Sequence, residues 1–136
     1  MRNWPDPPGA GEESPFKGKT GLRRLWNALH YSIAGLKAAY ACEDAFRQES
    51  WLAAVLIGAA VFLPVGGVGR ALMVACVLLV LCIELLNSAI EAAIDRIGLE
   101  DHRLSKRAKD IGSAAVLVAL VNGAAVWACV LADAFG

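Results

Sequence analysis

Leu81-Cys82-Ile83-Glu84-Leu85-Leu86-Asn87-Ser88-Ala89-Ile90-Glu91-Ala92-Ala93-Ile94-Asp95-Arg96 sets acids into a run that otherwise reads as a membrane-spanning helix. At about 100° per residue, Glu84, Asn87, Glu91 and Asp95 fall within roughly an 80° arc, while the remaining faces stay apolar. A charge near a bilayer centre costs at least ~2.5 kcal/mol, so an ionisable group in a span faces protein or water and marks a site. The rest of the chain has to be arranged around that stripe.

The composition agrees with a membrane setting. The 136 residues are 57% hydrophobic, with a formal net charge of zero, and the mean hydropathy is +0.52. That is too apolar for an ordinary soluble domain and too short for two large ones. Nearly all charges lie before position 51 or between 84 and 110. Cys42, Cys76, Cys82 and Cys129 have no metal-ligand spacing and read as buried free thiols.

Residues 1–21 hold four of the five prolines and no apolar periodicity, which predicts a flexible tail rather than a secretory signal. Leu22, Leu25, Trp26, Leu29, Ile33, Leu36 and Tyr40 then recur at threes and fours among basic residues. This predicts one amphipathic surface helix over about 22–49, suited to a headgroup layer. Three charge-poor runs follow, with spans expected at about 50–67, 70–97 and 109–133. Pro64 and the glycines of Val65-Gly66-Gly67-Val68-Gly69 predict a tight turn after the first, and residues 98–109 a charged loop. The expected fold is thus an all-α membrane protein, one surface helix and three transmembrane helices in a domain over 22–136. Arg23, Arg24, Lys37, Arg47, Arg96, Arg103, Lys106, Arg107 and Lys109 lie on one side and Arg70 alone on the other, which predicts a cytoplasmic N-terminus and an outer C-terminus.

That topology brings Glu43 and its neighbours, the Glu84-to-Asp95 face and Lys106-Arg107-Ala108-Lys109-Asp110 to one boundary. Carboxylates hold magnesium together with substrate phosphates, and lysines offset phosphate charge, so this mixture suggests a metal-bound nucleotide. An acid deeper in the apolar layer, Glu84, suits a general base acting on an alcohol. Two other readings stay open on these residues: structural pairing of Glu84 and Glu91 with Lys109 or Arg96, and a small transporter or channel whose intramembrane acid binds a proton or cation.

Three segments carry a resemblance over about 22–136. They are Glu43-Asp44-Ala45-Phe46-Arg47-Gln48-Glu49, the run from Glu84 through Asp95-Arg96-Ile97-Gly98, and Leu104-Ser105 with Arg107-Ala108-Lys109-Asp110-Ile111-Gly112-Ser113-Ala114-Ala115-Val116-Leu117. With them the chain resembles the small integral-membrane bacterial diacylglycerol kinases. The resemblance implies ATP-dependent phosphorylation of diacylglycerol to phosphatidic acid by a multi-pass homotrimer of the bacterial inner membrane, with sites shared between neighbours, Mg2+ on the nucleotide and no nucleic-acid partner. It implies Glu84 as the base and Glu43 and Glu91 as metal carboxylates. Arg24, Tyr31, Glu100, Asp101, His102, Lys109 and Asp110, with Glu43 and Glu91, match nucleotide contacts. Arg24, Ser32, Phe46, Arg47, Glu49, Arg70, Glu84 and Ser113 match the lipid site, and Asn87 and Asp95 are expected as supporting residues. Asp101 stands where the family has tyrosine, and Ile33 and Ala34 where tryptophan and lysine are common. A polyprenol kinase is the alternative within the same chemistry.

Overall fold

The computed structural model describes residues 21–97 and 103–136. Four helices follow in order: α1 (Leu22–Cys42), α2 (Asp44–Phe62), α3 (Gly67–Ile97) and α4 (Arg103–Phe135). The described residues fall into two units, with the boundary after Lys37, inside α1.

In the first unit α1 buries none of its residues, and Leu22, Leu25, Trp26, Leu29, Ile33 and Leu36 are all exposed. The apolar stripe foreseen in the sequence is present, with a face free to meet a lipid surface. The expected single helix over 22–49 is instead divided at Glu43, whose backbone is extended at φ −110 and ψ 110. The division strands little: the Glu43 amide donates to the Ala39 carbonyl at 2.9 Å, and its carbonyl accepts from the Arg47 amide at 3.1 Å. Arg47 Nη1 also donates to the Tyr40 carbonyl at 3.1 Å, satisfying one of the acceptors that a helix end leaves open. Residues 44–49 therefore open the second helix rather than close the first.

In the second unit α3 packs against both α2 and α4. Ala53, Cys76 and Val77 form one buried cluster and Ala60, Val65 and Met73 another, and Trp127 packs against both. The Trp127 indole N–H donates to the Met73 carbonyl at 3.3 Å, fixing α4 on α3 where water is scarce. Of the cysteines only Cys76 is buried; Cys42, Cys82 and Cys129 are free thiols on outward faces, which corrects the expectation that all are buried. An apolar run around a cysteine does not say which way it faces when the helix surface is itself apolar.

α3 and α4, with 31 and 33 residues, are long and apolar enough to cross a membrane. At 1.5 Å per residue each exceeds the ~30 Å hydrocarbon layer by several turns, so their charged ends project beyond it. α2 is shorter than its sequence suggests: it ends at Phe62, and its charge-free part over 50–62 is only about 20 Å long. Leu63 is extended at φ −66 and ψ 140, as a residue before proline prefers. The following glycines do not all remain in the turn, for Gly67 and Gly69 lie in the first turn of α3. Arg70 locks this corner. Its Nε donates to the Ala60 carbonyl at 3.0 Å and Nη2 to the Leu63 carbonyl at 3.1 Å, placing a cation on the negative end of α2. The loop expected over 98–109 ends early, at Arg103, because Leu104 and Lys106 to Lys109 are good helix formers that extend α4.

Candidate active site

Glu84 and Ser88 lie one turn apart on α3 and are both buried, with Glu84 only 5% exposed. Glu91 lies another turn along on the same side. Opposite them, the break between α1 and α2 presents Glu43, and the first turns of α2 present Glu49. These four carboxylates, with Asn87, Ser88 and Ser113, bound one cavity of about 290 Å³. Asn87 Nδ2 donates to Glu91 Oε1 at 3.1 Å, tying amide and carboxylate together along the helix. Two acceptors are buried there without a hydrogen-bond partner, Glu49 Oε2 and Asn87 Oδ1.

A second cavity of about 300 Å³ lies between α2, α3 and α4 and is walled by Leu52, Leu56, Val80, Leu120, Gly123 and Trp127. Glu49 lines this apolar groove as well as the acidic cavity. One carboxylate thus stands where a polar chamber gives way to an apolar one.

The structure brings Glu43, Glu49, Glu84, Asn87, Glu91 and Ser113 together. Lys109 Nζ donates to Asp95 Oδ1 at 2.6 Å, so among the described residues this lysine pairs with Asp95 rather than with Glu84 or Glu91. Asp110 is exposed on the next position of α4. Arg47 is ion-paired with Asp44 besides capping α1, while Phe46 is buried. Arg70 lies apart from the acids: fourteen residues of α3, about 21 Å, separate it from Glu84, and its Nε and Nη2 donate to the Ala60 and Leu63 carbonyls at the end of α2. Arg24, Tyr31 and Ser32 are exposed on the part of α1 in the first unit, with Ser32 Oγ donating to the Ala28 carbonyl at 2.9 Å. Glu100, Asp101 and His102, and the tail over 1–20, lie outside the described residues.

Ser88 was missed in the sequence although its signal is simple: it stands four residues after Glu84 and therefore on the same face. Nothing in the sequence marks Glu49 as the junction of two cavities, since that depends on how α2 meets α3.

The donor set bears on magnesium. Among the described residues no three acids or imidazoles converge to hold an ion unaided. Glu43 and Glu91 nonetheless line the same chamber, and two carboxylates fit Mg2+ that arrives with phosphates and water completing its shell.

Residues 30–131 match the model of a family described as prokaryotic diacylglycerol kinase. The chain is 57% identical over 118 residues to the diacylglycerol kinase of Pseudomonas aeruginosa, covering 87% of this chain and 96% of that protein. It is 50% identical over 112 residues to that of Haemophilus influenzae, covering 82% and 95%, and 47% identical over 117 residues to that of Escherichia coli K12, covering 86% and 96%.

Proposed function

We infer from two facts, that the chain belongs to the prokaryotic diacylglycerol kinase family and that its acidic cavity meets an apolar groove at Glu49, that it is an ATP-dependent kinase of diacylglycerol. It is a transferase of the bacterial inner membrane that converts the lipid's free hydroxyl to a phosphate ester, giving phosphatidic acid. The observation that carries this reading is the shared residue: diacylglycerol has a hydroxyl at the root of its acyl chains, and Glu49 stands where such a junction fits. The acyl chains follow the groove, and the buried, unpartnered Glu49 Oε2 stands at its polar end.

Within the chamber Glu84 is the base. As the lipid oxygen bonds to the γ-phosphorus and the bond to the β–γ bridging oxygen breaks, Glu84 takes the hydroxyl proton and ADP leaves. Glu43 and Glu91 would hold the magnesium that comes with ATP, an ion that would draw charge from the phosphate oxygens. Glu91 is oriented by Asn87. Lys109 and Asp110 contact the nucleotide. Glu84 and Glu91 are about 10 Å apart along α3, which separates base from metal by the span of a reacting hydroxyl and phosphoryl group.

Three further features belong to the same proposal. α2 completes a three-span subunit, its short apolar run lengthened by the turn at 63–66. The N-terminus is cytoplasmic and the C-terminus outside, supported by the distribution of basic residues. The active species is a homotrimer, supported by an acid-lined chamber that one subunit covers only partly; an active monomer by native mass measurement in mild detergent would overturn it. The deciding experiment for substrate is phosphate transfer from magnesium–ATP in detergent–lipid micelles, with diacylglycerol and undecaprenol offered separately. Turnover with diacylglycerol is expected; turnover with undecaprenol alone would reassign the protein to polyprenol phosphorylation.

A further inference from the structure

We propose that Gly112 of α4 is a positioning residue for phosphoryl transfer, acting by leaving room for the Asn87 amide that orients Glu91. Gly112 is buried opposite Asn87. A Cβ at position 112 would stand 2.1 Å from Asn87 Oδ1 and 3.3 Å from its Cγ, so the amide occupies the space that any side chain there would need. No side-chain contact of that length is tolerated, and one of two things must yield: the α3–α4 packing or the Asn87 torsion. Parting two packed helices disturbs contacts along both, whereas rotating one terminal amide breaks a single hydrogen bond. The amide yields, and the bond it gives up is the 3.1 Å contact to Glu91 Oε1.

The state of the amide oxygen supports this reading. Asn87 Oδ1 is buried with no hydrogen-bond partner, so on its oxygen side no conventional hydrogen bond holds the amide in this pose. What it faces is position 112, where a Cβ would collide with it. The glycine thus supplies the space that the amide oxygen occupies. General tolerance of small residues between helices is a different matter, because a Cβ at Gly58 or Gly123 would meet nothing within 4 Å.

The inference rests on the reading of Glu91 as a metal carboxylate, and the test separates the two. Magnesium–ATP affinity and diacylglycerol turnover are measured for Gly112→Ala, Asn87→Ser, the double variant, Glu91→Gln and, as a control, Gly58→Ala. Gly112→Ala is expected to lower both quantities tenfold or more, Asn87→Ser to lower them at least as much, and the double variant to match Asn87→Ser within about twofold, while Gly58→Ala stays near the parent. The proposal is overturned if Gly112→Ala costs the same factor in both backgrounds, exceeds the loss in Asn87→Ser, or leaves both quantities parental. Should Gly112→Ala alone fail to fold, the double variant carries the comparison, because the amide is gone from it; if that also fails to fold, the glycine serves helix packing and the proposal falls. Parental magnesium–ATP affinity in Glu91→Gln would remove the metal reading, while coupling of 87 and 112 in turnover would still decide the role of Gly112.

Discussion

Replacing Glu84 by glutamine keeps the shape of a buried side chain while removing both a proton acceptor and a negative charge. A positioned general base contributes about 10²- to 10⁴-fold to rate, or roughly 2.7 to 5.5 kcal/mol of barrier, so Glu84→Gln is expected to cost turnover by that factor. Stability should move in the other direction. Glu84 faces Glu43, Glu49 and Glu91 across one chamber and makes no ion pair among the described residues. With both ionised, its repulsion with Glu91 at about 10 Å is worth roughly 0.4 kcal/mol in water and 1.7 kcal/mol at an effective dielectric near 20. Neutralising Glu84 therefore leaves the thermal midpoint unchanged or raises it, and magnesium–ATP affinity stays within a few-fold of the parent. The assay is diacylglycerol phosphorylation beside nucleotide binding and thermal unfolding in the same micelles. Near-parental turnover would refute the base assignment, and a marked loss of stability with proportionate loss of activity would show that Glu84 is a structural pairing group.

Five other substitutions probe the remaining assignments. Glu43→Gln and Glu91→Gln should each abolish turnover and weaken magnesium–ATP binding while lipid binding persists, since an amide is a poor ligand for a hard cation; retained magnesium–ATP affinity with lost lipid binding would move that residue to the lipid site. Lys109→Ala should weaken nucleotide binding several-fold, whereas Asp95→Asn, which removes only its ion-pair partner, should affect binding less. Equal losses in both would mean that Lys109 acts through the pair alone. Arg70→Ala removes charge-assisted contacts to the α2 carbonyls and should cost at least ~2 kcal/mol of stability while turnover per folded protein is preserved. A folded, stable variant with impaired lipid kinetics would instead place Arg70 in substrate binding.

What could be read from the chain alone followed from periodicity. Glu84, Asn87 and Glu91 share a helix face whatever the helix packs against, because 3.6 residues per turn fixes that, and the long charge-free runs identify α3 and α4 by length. Ser88 was legible on the same rule. The buried state of Cys76 alone among four cysteines was not, since an outward face toward lipid is as apolar as an inward one.

Where helices begin and end was decided by hydrogen bonds between residues distant in pattern. The break at Glu43 is bridged by Arg47 reaching the Tyr40 carbonyl, and the end of α2 is held by Arg70 from the following helix. Composition announces neither contact. The meeting of Glu43 and Glu49 with Glu84 and Glu91, the groove that adjoins them, and the fit of Asn87 against Gly112 depend on helices touching. Sequence determined which side chains share a face, because the helical repeat is local; tertiary structure decided which faces meet, because close packing is a property of pairs of surfaces.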